Sequence, residues 1–139
     1  MHPVGPPLGA YKNATFGTDG VRGKVGTALT PALVLQLGYW TSHILARTGP
    51  ILIGKDSRQS GDMVTAALTA GLTSAGREVW LIGLCPTPAI PHLIKKLGAS
   101  GGLMVSASHN PPEDNGIKIF DENGEKINSE KQNFIEASI

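Results

Sequence analysis

The chain has little of what marks a disulfide-stapled, polyanion-binding or membrane-spanning protein. It holds one cysteine, Cys85, so an internal disulfide is impossible. Cys85 ends the apolar run Gly83-Leu84-Cys85-Pro86 with no basic neighbour to lower its pKa, which describes a buried reduced thiol and not a nucleophile. Net charge is also scarce. Lys plus Arg number 12 against 11 for Asp plus Glu, and the resulting +1 provides no broad field for nucleic acid or anionic lipid, so a phosphate ligand needs a local site. Long apolar runs are missing as well: Ile51–Ile53 and Val79–Leu84 fall far short of the ~20 residues of a membrane span. No basic-then-apolar signal segment opens the chain. The expectation is a cytoplasmic protein whose partners include neither nucleic acid nor membrane.

What is present fits one core. A chain of 139 residues, 40% apolar and 17% charged, has the size at which a single domain closes. Residues 1–14 carry Pro3, Pro6 and Pro7 without apolar periodicity and read as a flexible leader, with one domain spanning 15–139. Thr30-Pro31 is a cap followed by proline, and Leu33, Leu37, Trp40 and Ile44 recur at helical spacing as far as Arg47 and Gly49. Ile51–Gly54 suits a strand covered on both faces. Asp62–Ala75 places Val64, Leu68, Leu72 and Ala75 on one helical face and stops at Gly76. Glu78–Leu84 returns to strand character; Thr87-Pro88 then starts a third helix with Ile90, Leu93, Ile94 and Leu97 as its stripe. Trp40 and Trp80 fit core positions.

Gly101–Val105 reads as another buried strand, and Asn115–Ile127 as a hairpin turning at Asp121-Glu122-Asn123-Gly124. Ser129-Glu130-Lys131-Gln132 has the capping-box pattern of a last helix, which reaches Ile139 without a terminator, so a C-terminal truncation is expected. Alternating strands and helices imply an α/β fold, a three-layer α/β/α sandwich around a mixed, mainly parallel sheet. Chemistry in such sheets lies beyond the carboxyl ends of the strands, here the loops after Ile53 and Val105.

The richest polar stretch is Ser106-Ala-Ser-His-Asn-Pro-Pro112, directly after a predicted strand. Ser108 presents a hydroxyl, and His109 and Asn110 are hydrogen-bond donors for an oxyanion or phosphate. Adjacent side chains on extended backbone diverge, so His109 need not be the base for Ser108. In Asp114-Asn-Gly-Ile-Lys-Ile119, Ile117 and Ile119 facing the core would turn Lys118 to the other side, towards the serine loop. Upstream, Phe16-Gly-Thr-Asp-Gly-Val-Arg-Gly23 packs glycines around Arg22. It lacks the Walker spacing and reads first as a structural turn, second as a loop whose amides and guanidinium approach a phosphate. Asp56 and Arg58 either brace the loop after the second strand or reach the active cleft. His43 and His92 sit on predicted helices without a second ligand at metal-site spacing, and His2 lies in the leader.

Taken together and in order, Phe16–Gly23, Gly54-Lys-Asp-Ser-Arg58 with Ser60-Gly61, and Ser106–Pro111 with Asp114–Lys118 resemble the first domain of the α-D-phosphohexomutase superfamily. The likeness covers nearly all of the chain beyond the leader, and the motifs look most like the phosphoglucosamine mutase branch. The resemblance implies that Ser108 is a phosphoserine that passes its phosphoryl group to a hexose monophosphate and recovers one through a bisphosphate intermediate. The net reaction would interconvert glucosamine 6-phosphate and glucosamine 1-phosphate. Lys118 then matches a general base or charge stabiliser, His109 and Arg22 groups lining the phosphoserine, and Asn110 and Thr18 phosphate or substrate contacts.

Magnesium is implied as cofactor, with the Ser108 phosphate as one ligand. The family's other ligands belong to an Asp-rich loop of a second domain, and Asp19, Asp56, Asp62, Asp114 and Asp121 show no Asp-x-Asp pair here. The sugar-selecting and phosphate-binding loops of the third and fourth domains also lack counterparts, so the partners of this segment would be the hexosamine phosphate, its bisphosphate and domains II–IV, and the segment alone is expected to be inactive. The rival readings are a phosphomannomutase or phosphoglucomutase segment and a non-catalytic one-domain binding protein.

Overall fold

Side chains of a strand alternate between the two faces of its sheet, and that alternation sorts this core into two layers. The computed structural model describes residues 14–17 and 19–139. Six strands, β1 (Thr15–Gly17), β2 (Gly20–Lys24), β3 (Ile51–Lys55), β4 (Val79–Leu84), β5 (Gly101–Val105) and β6 (Asp114–Phe120), form one sheet in the order β1-β2-β6-β5-β3-β4. Ile51 and Ile53 of β3, Leu103 and Val105 of β5 and Ile117 and Ile119 of β6 face one side. There they meet helices α1 (Pro31–Thr41), α2 (Gly61–Ser74) and α4 (Ser129–Ser138) through Leu33, Leu37, Leu68, Leu72 and Ile135. Leu52, Met104 and Phe120 face the other side, against Ile90 and Ile94 of α3 (Ala89–Leu97). The result is the expected three-layer α/β/α arrangement.

The sheet is mixed, with its parallel pairing confined to β5-β3-β4. Its other half, β1-β2-β6-β5, is antiparallel, which limits the expectation of a mainly parallel sheet to three strands. The cause is local. β6 follows β5 through a loop too short for a helical crossover, so it must run back. The glycine run at 16–23 is not a loop but the β1-β2 hairpin. Gly20 has φ +82, and a Cβ there would fall 2.0 Å from the Ile117 carbonyl oxygen, so the hairpin needs glycine to lie against β6.

Several boundaries differ from the sequence expectation. α1 stops at Thr41 instead of reaching Arg47, because the Ser42 hydroxyl donates to the Tyr39 carbonyl and Ile44 N–H turns back to Thr41. The cap of α4 is Asn128, whose Oδ1 accepts from Lys131 N–H at 2.8 Å, one residue ahead of the expected Ser129 box. Thr87 supplies no side-chain cap to α3, and Leu97 is 43% exposed, beyond the last turn that faces the sheet. The return limb of the 115–127 hairpin shrinks to a single bridge between Phe120 and Lys126. Trp40 packs against the core, but Trp80 is 42% exposed, because β4 ends the sheet and only part of it is covered. Of the expected leader, 1–13 lie outside the described residues, whereas Ala14 is buried in the core. His43 and His92 are exposed, and Cys85 is a free, half-buried thiol whose pKa burial pushes up.

At the amino ends of the parallel strands, buried Arg77 donates to the carbonyl oxygens of Ser42 (2.6 Å) and Ala46 and to the Ser100 hydroxyl (3.0 Å). The Ser100 hydroxyl in turn shares its one proton between the carbonyls of Gly49 and Pro50, both at 3.1 Å, so one guanidinium ties together the segments that enter β3, β4 and β5. α1 and α2 meet backbone to backbone: a Cβ at Gly71 would lie 2.1 Å from the Leu35 carbonyl oxygen, and one at Gly38 2.5 Å from that of Leu68. Gly71→Ala must therefore separate two packed helices. Overpacking of this kind costs about 1–3 kcal/mol, so the urea midpoint of G71A should fall by the corresponding amount. An unchanged midpoint would mean that the helices are not in contact at this point.

Candidate active site

β3 and β5 run parallel in register, Ile51 opposite Gly101 and Lys55 opposite Val105, so their carboxyl ends fall side by side. The loop after β5 holds the polar stretch 106–113 and the loop after β3 holds Asp56 and Arg58. Asp56 N–H donates to Val105 O at 3.0 Å and extends the pairing one step beyond the strands. Ser106 and Ala107 are buried, and the chain then turns outward at Ser108, the one non-glycine residue with positive φ (+53) among those described. Left-handed backbone at serine costs of order 1–3 kcal/mol and persists only when its surroundings enforce it. Ser108 N–H donates to Ser106 Oγ at 3.1 Å and Asn110 N–H to Ala107 O at 3.0 Å, which closes the turn and leaves the Ser108 hydroxyl exposed.

Two cations converge on that hydroxyl. Lys118 Nζ donates to Ser108 Oγ at 3.2 Å and Arg22 Nη2 donates to the same oxygen at 3.4 Å. Register explains the convergence. Val21 pairs with Ile117 on the α1/α2 face, so Arg22 on β2 and Lys118 on β6 both project from the opposite face, towards the serine loop. Arg22 pairs with Gly116, where a Cβ would lie 2.9 Å from Arg22 Cγ and 2.8 Å from Ser106 O. The absence of a side chain there is what lets the arginine stem pass. Arg22 Nη1 also donates to Asn110 Oδ1 (3.3 Å), and Asn110 Nδ2 donates to Asp114 Oδ2 (3.3 Å), so Asn110 is held between β2 and β6.

Of the residues singled out in the sequence, Ser108, Lys118, Arg22 and Asn110 are thus brought into one cluster. His109 is adjacent and exposed, and among the described residues it makes no hydrogen bond to the cluster. Thr18 lies outside the described residues. Arg58 does not reach the serine hydroxyl. It donates to the carbonyl oxygens of Ser108, Asn110, Pro111 and Asp114, so it braces the serine loop after β5, and only its bonds to Asp56 lie within its own loop after β3. Sequence reasoning missed Ser106 and Asp114 as acceptors and the Asn115–Ser60 bond (2.9 Å) that joins β6 to the start of α2. The signal for the last was present, since the Ser60-Gly61 pair sits two residues beyond Arg58.

Lys118 also borders a hollow of about 340 Å³ lined by Phe16, Val21, Lys126, Ile127 and Ile135. Burial is the main cause that lowers its pKa from the ordinary 10.5; the charges of Arg22 and Lys126 add to it, and Asp19 and Asp56 oppose it. A lysine with a lowered folded-state pKa binds its proton less tightly folded than unfolded, so this group's contribution to stability improves as pH rises from the folded value towards 10.5. The site therefore holds two positive groups facing a neutral hydroxyl, the electrostatic complement of an anion on that oxygen.

An outward-turned serine held between a guanidinium and an ammonium, at the carboxyl edge of an α/β/α sheet, defines the class of domain. The chain belongs to the phosphoglucomutase/phosphomannomutase family: the family's α/β/α domain I matches residues 13–139. Among curated relatives, a phosphoglucosamine mutase of Prochlorococcus marinus strain MIT 9303 is 66% identical over all 139 residues, which is 30% of that protein. One of Synechococcus sp. strain CC9902 is 66% identical over 137 residues, 99% of this chain and 29% of the relative. The chain thus spans about a third or less of the length of these relatives. A solved structure from Thermus thermophilus, described as a putative phosphomannomutase, superposes with TM-score 0.82 at 35% identity over 91% of this chain and 30% of its own. The Paramecium phosphoprotein parafusin, a phosphoglucomutase in its open form, superposes with TM-score 0.74 at 25% identity over 88% of this chain and 24% of its own.

Replacing Arg22 by glutamine removes one charge while burial remains, so the Lys118 ammonium should titrate at higher pH in R22Q than in the parent, though still below 10.5. Nitrogen-detected NMR of the lysine Nζ groups measures this. Identical midpoints would exclude electrostatic coupling between the two side chains.

Proposed function

We propose that this chain is the phosphoserine-bearing first domain of a phosphoglucosamine mutase, which interconverts glucosamine 6-phosphate and glucosamine 1-phosphate by phosphoryl transfer through a bisphosphate intermediate. The observation that carries the reading is the convergence of Lys118 and Arg22 on the exposed Ser108 hydroxyl. High identity to phosphoglucosamine mutases over the whole chain supports the choice of sugar. The chain's share of those relatives' length supports the view that substrate positioning needs further domains, so that residues 15–139 alone do not turn over.

Chemistry follows from the geometry. When Ser108 accepts a phosphoryl group, Oγ–P forms as the O–P bond of the sugar phosphate breaks, the freed sugar oxygen takes a proton from solvent, and the Ser108 proton passes to the Lys118 amine, whose lowered pKa enlarges the neutral fraction that can accept it. In the donating direction Oγ–P breaks as the phosphorus bonds to a sugar hydroxyl oxygen, whose proton leaves to solvent, and the Lys118 ammonium returns its own proton to Oγ. Arg22 stays charged throughout and offsets the negative charge that develops on the equatorial oxygens. Asn110, held by Arg22 and Asp114, is a donor to the same group, and exposed His109 lies beside it in the chain.

Among the described residues no three His, Cys, Asp or Glu side chains gather as a metal site. What this chain offers magnesium is the hard oxygen of a Ser108 phosphate, a fitting but partial ligand set for an octahedral ion. When bound there, magnesium supplies positive charge to the transferring group. Cytoplasmic placement agrees with the free Cys85. Among the described residues no helix is long and apolar enough to cross a membrane.

In the full-length protein, glucosamine 1,6-bisphosphate should place one phosphoryl group on Ser108, visible by peptide mass mapping, and S108A should take up none. K118M should slow the transfer by roughly 10²–10³, the range for loss of one preorganised electrostatic group. Faster turnover of mannose or glucose phosphates than of glucosamine phosphates would reassign the sugar, and an unmodified Ser108 would favour a binding module.

A further inference from the structure

We infer that Arg58 is a positioning residue for Ser108: its guanidinium sets the backbone of residues 108–114 so that the serine hydroxyl meets both cations. The inference rests on the proposed phosphoryl transfer and names a residue that acts on it without touching the reacting atoms. Arg58 Nη1 donates to the carbonyls of Pro111 (2.7 Å) and Asp114 (3.0 Å), and Nη2 to those of Ser108 (2.8 Å) and Asn110 (3.0 Å). Its Nε donates to Asp56 Oδ2 (3.4 Å), while Asp56 Oδ1 accepts the Arg58 backbone N–H (3.1 Å).

A guanidinium has five N–H donors. All five are engaged in these bonds, so none is left for a substrate anion, and the side chain is only 11% exposed. That separates Arg58 from Arg22, which donates to side-chain oxygens of Ser108 and Asn110. Arg22 meets the reactive group; Arg58 holds the main chain that presents it.

The loop needs such a holder. Residues 106–113 belong to no helix or strand, and Ser108 sits at φ +53, where serine does not rest unaided. Four carbonyls drawn to one planar cation fix the course of the backbone between the serine and β6. Asp56 anchors that cation to β3, and the Asp56 N–H bond to Val105 O ties the anchor to β5. Lysine cannot replace the fork: its three donors spread from one nitrogen and cannot meet four carbonyls and Asp56 together.

The experiment compares full-length wild type, R58A and R58K. Three quantities are read: kcat and KM for glucosamine 1-phosphate, the rate at which Ser108 gains phosphate from glucosamine 1,6-bisphosphate, and hydrogen exchange at the amides of Ser108, Asn110 and Asp114. Misplacing a reacting group by about 1 Å costs of order a hundredfold, so R58A should lose roughly that factor in kcat and in Ser108 phosphorylation while KM moves less than about threefold. R58K should fall within about threefold of R58A, because it keeps the charge and not the fork. Exchange should rise at the three loop amides and stay as in wild type along β3 and β5. The inference is overturned by rates in R58A within about threefold of wild type, by recovery of wild-type rates in R58K, by a loss confined to KM, or by exchange that rises throughout the sheet. Wild type that never gains phosphate on Ser108 would sink the proposed function, and the exchange comparison would still decide whether Arg58 holds the loop.

Discussion

Parallel pairing of β3 with β5 is the constraint from which the site follows. Strands that run in the same direction and in register must release their chains at the same edge, and here they release the 55–60 and 106–113 segments next to each other. No helix or domain movement is needed to bring Arg58 to the serine loop, because the sheet has already done so. The antiparallel return of β6 then places Lys118 one strand away from Met104, its partner across β5, and within reach of the hydroxyl that β5 has just delivered. The final contributor, β2, lies on the far side of β6 and reaches over it.

That reach depends on what β6 lacks at one position. Gly116 opens a gap beneath Arg22 and Ser106, and Gly20 lets the β1-β2 hairpin lie close enough for the arginine to use it. The cluster therefore concentrates positive charge around one neutral oxygen without a carboxylate in direct contact with it. Of the nearby acids, Asp56 and Asp114 are engaged by Arg58 and Asn110 instead. These two acids shape the loop and the cations face the serine hydroxyl, a division set by which strand each residue leaves.

Much of this was legible in the sequence, for identifiable reasons. The β3, β5 and α2 segments carry continuous apolar runs or clean helical spacing, and β5 and the α2 terminator fall where the pattern put them. Ile117, Lys118 and Ile119 alternate, so the side from which Lys118 projects is readable without knowledge of its partner. Phe16–Gly23 does not read as a pair of strands because its glycines suppress both β-propensity and the apolar alternation that signals a half-buried strand. Trp80 was misplaced because the pattern of an edge strand does not differ from that of an interior one when its residues are apolar. Arg58 stayed ambiguous since its partners are carbonyl oxygens, which every residue has and no sequence displays.

The opposite edge of the sheet is closed by different chemistry. Arg77 is buried, and among the described residues its hydrogen-bond partners are carbonyl and hydroxyl oxygens with no carboxylate. A cation held in this way gives its hydrogen bonds to oxygens that never ionise, so its brace does not depend on the charge of any partner. The domain thus keeps an ion pair, Asp56 with Arg58, at its serine end and fastens the end where its parallel strands begin with a cation that needs no counter-charge.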